Sequence, residues 1–79
     1  MWYVYLLECS DGSYYCGITQ KIYRRVAVHN SGKGAKYTRG RTPVKLIAHK
    51  AVETKSEALK LEYAVKKKRK DKKISFLQS

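Results

Sequence analysis

The apolar pattern opens as an unbroken run. Residues 2–9, WYVYLLEC, are aromatic, β-branched or aliphatic almost throughout. A run so short and so apolar predicts a strand buried on both faces. SDGS follows, with Asp11-Gly12 at its centre, a strong hairpin signal. Residues 14–18, YYCGI, form the returning strand, and Gly17 within it points to a bulge or to a close approach of something to the backbone. At residues 21–30, KIYRRVAVHN, the spacing becomes helical, with Ile22 and Val26 on one stripe and Thr19 placed to cap. Residues 31–43, SGKGAKYTRGRTP, hold three glycines, the only proline and four basic residues, and read as a loop. VKLIAHKAV, residues 44–52, alternates roughly and predicts a third strand. Thr54 followed by Glu57 fits a capping box. The helix it opens carries Ala58, Leu61, Ala64 and Val65 on one face and runs into KKKRKDKK at 66–73. A last turn offers Ile74, Phe76 and Leu77 to the core.

The predicted order is β-β-α-β-α with a short C-terminal helix. The fold class is α+β: a small three-stranded antiparallel sheet flanked by helices, which lets each element bury its apolar face. Residues 1–79 form a single domain, with no internal repeat. A chain this short buries about 60% of its unfolded surface, so its core must be compact. The 43% hydrophobic content suffices for a folded domain and argues against disorder.

Charge sharpens the functional question. Eighteen Lys and Arg face six Asp and Glu, a net charge of +12. Such self-repulsion is relieved by a polyanion, so nucleic acid is the expected partner. Cys9 and Cys16 match no metal-binding spacing and read as small buried hydrophobes. MWYVYLLECS lacks the basic segment and the apolar length of a signal peptide, and no segment approaches a membrane span. The expectation is a cytoplasmic or nucleoid-associated protein with no membrane partner, a monomer or weak dimer.

The informative residues are polar groups in apolar places. Ile22, Val26 and His29 share a helical face, and Arg25 lies on it too. In the second helix Glu62 intrudes among Ala58, Leu61 and Val65. A buried Arg or carboxylate needs a partner. An Arg25–Glu62 salt bridge across two helices is the plain structural explanation. The tyrosines offer another. Seven are present, and Tyr3, Tyr5, Tyr14 and Tyr15 crowd one hairpin. With a three-residue loop, Asp11-Gly12-Ser13, Tyr5 and Tyr15 point to the same face. With a two-residue Asp-Gly turn they point to opposite faces. Tyr3, Tyr14 and Tyr23 read as ordinary core or surface aromatics.

In the same-face case two phenols, a guanidinium, an imidazole and a carboxylate converge. That inventory suits phosphodiester hydrolysis. A phenol or imidazole takes a proton from water. Arginine balances charge growing on the phosphate. One carboxylate holds a Mg²⁺ that keeps its waters. The other five acidic residues lie in a strand, a turn or solvated and capping positions, so one metal is the most the chain holds well.

These residues, in this order, resemble the GIY-YIG nuclease superfamily, and among it the small stand-alone bacterial members. The first motif falls on Tyr3-Val4-Tyr5 and the second on Tyr15-Cys16-Gly17, followed by Ile18-Thr19. The family arginine falls on Arg25, the histidine on His29, and the metal-binding glutamate on Glu62. The loop GKGAKYT, residues 32–38, also looks like these members. Tyr3 replaces the glycine that names the first motif, and Cys16 replaces an isoleucine of the second. Ile18 stands where some relatives have a basic residue, and Lys36 is the candidate substitute.

The resemblance implies an endonuclease that uses one Mg²⁺ or Mn²⁺ bound by Glu62. Tyr5 would position or deprotonate the water. Tyr15 and Arg25 would hold the scissile phosphate, with His29 as base or second phosphate contact. Gly17 would leave room beside the phosphate backbone. No further domain supplies target choice, so the expectation is little sequence specificity and a preference for single-stranded or distorted DNA. Lys33, Lys36, Arg39 and Arg41, interleaved with Tyr37, form a basic loop suited to a single strand. About half of the 66–73 run reads as a solvated helix end. Two other readings compete: a DNA- or RNA-binding module on a nuclease-like fold, and a structural basic protein.

Overall fold

The computed structural model describes residues 1–79. Strands β1 (Trp2–Glu8), β2 (Tyr14–Thr19) and β3 (Lys45–Val52) form one antiparallel sheet in the order β2-β1-β3. Helix α1 (Ile22–Asn30) follows β2, while α2 (Lys55–Lys67) and α3 (Lys70–Gln78) follow β3. The α+β architecture expected from the pattern is the one observed. No helix is long and apolar enough to cross a membrane.

The central position of β1 explains its apolar run. Val4 and Leu6 face one layer with Cys16, Ala48, Ala58, Val65 and Leu77, which places α2 and α3 there. Tyr5 and Leu7 face the other with Cys9, Ile22 and Val44, which places α1 there. Both cysteines are buried and free.

The hairpin has the same-face register. Tyr5 pairs with Gly17 and Leu7 with Tyr15, so both tyrosines lie on the α1 side. The loop is one residue earlier than expected. The Cys9 N–H donates to the Ser13 carbonyl at 2.8 Å, leaving Ser10-Asp11-Gly12 as the turn. Asp11 decides this: its carboxylate accepts from the Ser13 N–H at 3.0 Å, and Gly12 takes a φ of 85° that a side chain would strain. The parity is unchanged, so the consequence for Tyr15 is too.

Four other expectations need correction. Gly17 makes no bulge; the register shift lies between Leu6 and Leu7 where β1 meets β3. Thr19 does not cap α1, because Lys21 holds the N-cap position, and the Thr19 hydroxyl accepts from the Lys21 N–H in the preceding turn. Lys36–Thr38 makes a short 3₁₀ turn inside the presumed loop. The run 66–73 is not one helix: Lys68 and Arg69 are extended, with ψ of 152° and 153°. Crowded like charges disfavour helix continuation here. Lys73 then turns back, and its ammonium donates to the Val65 and Lys66 carbonyls at the end of α2, at 3.0 and 3.2 Å.

Thr54 caps α2 as expected, but the reciprocal half of the capping box is replaced by a bond from the Thr54 hydroxyl to the Glu57 carboxylate. Thr54 accepts from the Glu57 N–H at 3.1 Å and bonds the Glu57 carboxylate at 3.1 Å. Thr54→Ala should therefore cost about 1 kcal/mol of unfolding free energy. Urea denaturation with an unchanged m-value is the check.

Candidate active site

Tyr5, Tyr15 and His29 form one aromatic cluster. Ring centroids lie 6.3 Å apart for Tyr5–Tyr15, 6.0 Å for Tyr5–His29 and 5.2 Å for Tyr15–His29. The sheet face positions the two phenols, and α1 lowers His29 between them. Gly17 makes the cluster possible. A Cβ there would stand 2.7 Å from the Tyr5 hydroxyl oxygen and 2.9 Å from the Tyr15 ring. The space expected beside Gly17 is thus filled by the two tyrosines. Gly34 plays the same part on the far side, its bare backbone packed against the His29 ring.

The hydrogen bonds at His29 have a direction. The Tyr5 hydroxyl lies 2.9 Å from Nε2, and the Thr38 hydroxyl lies 2.9 Å from Nδ1. Thr38 Oγ1 is also 2.9 Å from the Ala35 carbonyl, which only accepts. The single hydroxyl proton goes to that carbonyl, so Thr38 accepts from Nδ1–H. Nε2 is then bare and accepts from Tyr5. The Ala35 N–H also points at Nδ1, at 3.4 Å, and a protonated Nδ1 cannot accept from it, so this long contact is not a hydrogen bond in that tautomer. Burial, and after it the Arg25 charge, hold the His29 pKa below its ordinary 6.5. Burial also pushes the Tyr5 phenol up to about 12, with Arg25 pulling it back in part. At neutral pH both groups are uncharged, and the Tyr5 hydroxyl is hydrogen-bonded to Nε2 of His29.

Arg25 and Glu62 do not form the salt bridge considered above. Glu62 pairs with Lys66 on its own helix at 3.5 Å. The two helices lie on opposite sides of the sheet, and β2 is the edge strand between them. Their charges meet at Tyr15. Burial raises its phenol most; Lys66 and Arg25 lower it, and Glu62 raises it. Cys16, next along the strand, is pushed up to about 11 by burial and by Glu62.

The basic loop divides into two groups. Arg41 is committed: it bridges Asp11 at 2.9 Å, donates to the Tyr37 carbonyl at 2.6 Å and lies 4.4 Å over the Tyr37 ring. Arg39 donates to the Gly34 carbonyl at 3.3 Å. Lys33 and Lys36 are exposed, with no protein partner for their ammonium groups. The Tyr37 ring stacks on Tyr15 with centroids 6.1 Å apart at 28°, and the Arg41 guanidinium lies 4.4 Å from the Tyr37 centroid. Two residues with a part in the site were not singled out in the sequence. Thr38 is fully buried although polar, and only the loop's return to α1 reveals it as the partner of His29. Lys66 was visible as the i+4 neighbour of Glu62 but was read as part of a solvated run.

A buried neutral histidine makes stability depend on pH. The unfolded chain binds a proton near 6.5 that the folded chain refuses. The stability due to neutral His29 is therefore fully present above that value and is lost as pH falls below it. Urea unfolding from about pH 7.5 to 5 should show a decline of at most ~1.4 kcal/mol per unit, and His29→Gln should flatten it. Thr38→Val should cost about 1–3 kcal/mol, because it strands Nδ1–H and the Ala35 carbonyl. The ¹⁵N shifts of His29 should then lose their single-tautomer signature.

A family model described as the GIY-YIG catalytic domain matches residues 1–75. A UPF0213 protein of Streptococcus pneumoniae is 55% identical over 75 residues, covering 95% of this chain and 76% of its own. A UPF0213 protein of Halobacterium salinarum is 58% identical over 66 residues, covering 84% of this chain and 86% of its own. The solution structure of a UPF0213 protein from Bacillus halodurans superposes with a TM-score of 0.59 at 51% identity, covering 99% of this chain and 84% of that one. The solution structure of a protein from E. faecalis gives a TM-score of 0.65 at 47% identity, covering 96% and 81%. The site geometry, the family model and these relatives agree, and the chain belongs to the GIY-YIG catalytic-domain family, in the company of the UPF0213 proteins.

Proposed function

We propose that the protein is a metal-dependent endonuclease that hydrolyses DNA phosphodiester bonds at Tyr15, with low sequence specificity. One observation carries the reading: the edge strand β2, which bears Tyr15, lies between α1 with Arg25 on one face of the sheet and α2 with Glu62 on the other. A phosphate beside Tyr15 would meet a guanidinium that balances its growing charge. The Tyr5–His29 chain is ready to move a proton away from the attacking water, Tyr5 passing its own proton to Nε2 as it takes one. This makes Tyr5 the group that meets water and His29 the group that stores the proton. Lys33 and Lys36 are left to hold the flanking backbone, whereas Arg41 and Tyr37 shape the loop.

The donor set fits one hard cation of modest demand. Three His, Cys, Asp or Glu side chains gather nowhere in the chain. Glu62 is a lone carboxylate, mostly buried and balanced by one ammonium. Mg²⁺ or Mn²⁺ suits such a site, because it keeps several waters and takes its other ligands from substrate phosphate. Glu62 would hold it, and the ion would polarise the phosphate and steady the leaving oxygen.

A second reading rests on a different observation. Tyr5 is 1% exposed and His29 fully buried, so neither reaches solvent as the side chains stand. On that reading the cluster is structural and the protein binds nucleic acid without cutting it.

Cleavage assays decide between them. Single-stranded and duplex DNA should be cut when Mg²⁺ or Mn²⁺ is added. Glu62→Ala and Arg25→Ala should each lose at least ~100-fold in rate while keeping the wild-type melting curve. Tight binding with no metal-dependent cutting, or equal cutting by Glu62→Ala, would overturn the nuclease reading.

A further inference from the structure

A cleft of about 310 Å³ opens beside Tyr15, on the α2 side of the sheet edge. Its floor is apolar, made by Leu6 and Cys16, and its walls are the rings of Tyr14, Tyr15 and Tyr37. Lys66 and Lys73 stand at its mouth. The volume is at the small end of the ~300–1,000 Å³ range of ligand sites. The walls are already fixed. Tyr37 is held by its contacts with Arg41 and Tyr15. Tyr14 carries the Lys70 ammonium at 4.7 Å and shares a separate hollow with it, which leaves its other face to the cleft. Lys73 spends two of its three protons on the Val65 and Lys66 carbonyls, so one remains for a ligand.

We propose that this cleft is a nucleobase slot, which takes one unpaired base next to the phosphate bound at Tyr15. The proposal rests on the nuclease reading for the position of that phosphate. An aromatic slot with a dry floor suits a flat ring, since every base offers a π-face. Two ammonium groups at the rim suit the phosphates on either side of the nucleotide. A base held in a duplex stack cannot enter, and freeing it costs a few kcal/mol. The slot therefore favours DNA that is already unpaired at that position. Lys66 links the slot to the catalytic side, because the ammonium at the mouth is the one that balances Glu62.

The test uses ¹⁵N-labelled protein with EDTA present, so that nothing is cut. It is titrated with the thymidine dinucleotide and with the same molecule lacking one base. The complete dinucleotide should shift the amides of Tyr14, Cys16, Lys66 and Lys73 as well as those of Tyr15 and Arg25. The abasic one should shift only the latter pair and bind roughly tenfold more weakly. Tyr14→Ala should weaken the first ligand by a similar factor and leave the second unchanged. If both ligands shift the same amides with equal affinity, the slot is refuted while the phosphate site at Tyr15 stands. If the Tyr15 and Arg25 amides move with neither ligand, the slot falls together with the nuclease reading beneath it. The wild-type comparison holds even if Tyr14→Ala fails to fold.

Discussion

The buried hydrogen bond between Tyr5 and His29 ties the molecule together. Its 2.9 Å link joins the central strand to α1, and the next link, to Thr38, joins α1 to the long basic loop. Each partner is deep enough that losing the bond would leave a polar group unpaired in the core, a cost of about 1–3 kcal/mol. For a chain of 79 residues that is a large share of total stability. The same constraint dictates the glycines around it. Gly17 and Gly34 are bare because the two rings of this pair occupy the space that side chains would need. The same contacts that hold this buried pair also hold the fold.

The second organising feature is the sheet edge. A three-stranded sheet has one central strand and two edges, and here one edge carries Tyr15. Arg25 arrives over one face and Glu62 over the other, and a single strand's thickness keeps them from neutralising each other. Had they lain on the same face, the salt bridge that their spacing suggests would have formed. Glu62 instead takes a neighbour on its own helix, at a distance and exposure where the pair contributes little stability. Arg25 and Glu62 therefore remain unpaired with each other across the edge strand.

Much of this was legible in the chain. The apolar run of β1 required a central strand. Of the two turns the sequence left open, the three-residue one aligns Tyr5 with Tyr15, although it falls at Ser10-Asp11-Gly12, one residue before the expected Asp11-Gly12-Ser13. Arg25, His29 and Glu62 stood out because each breaks an apolar stripe. What was not legible depended on contacts between residues distant in sequence. Nothing local marks Thr38 as the partner of His29 or Tyr37 as the partner of Tyr15. The break at Lys68 was hidden for another reason: no glycine or proline marks it, only the repulsion of neighbouring lysines and the ability of Lys73 to bond back to the end of α2. Nothing local shows that Arg41, read in the sequence as a phosphate contact, also bridges Asp11 thirty residues earlier.

The edge position of β2 has one more consequence, for solubility. Strand β2 from Tyr14 to Thr19 is an edge strand and holds no charge of its own. Its outer row of backbone groups is a template for pairing with a second copy. The whole chain carries +12. Two such edges brought together would repel each other, whereas a polyanion would be drawn in. A net charge of +12 therefore works against edge-to-edge pairing of two copies along β2.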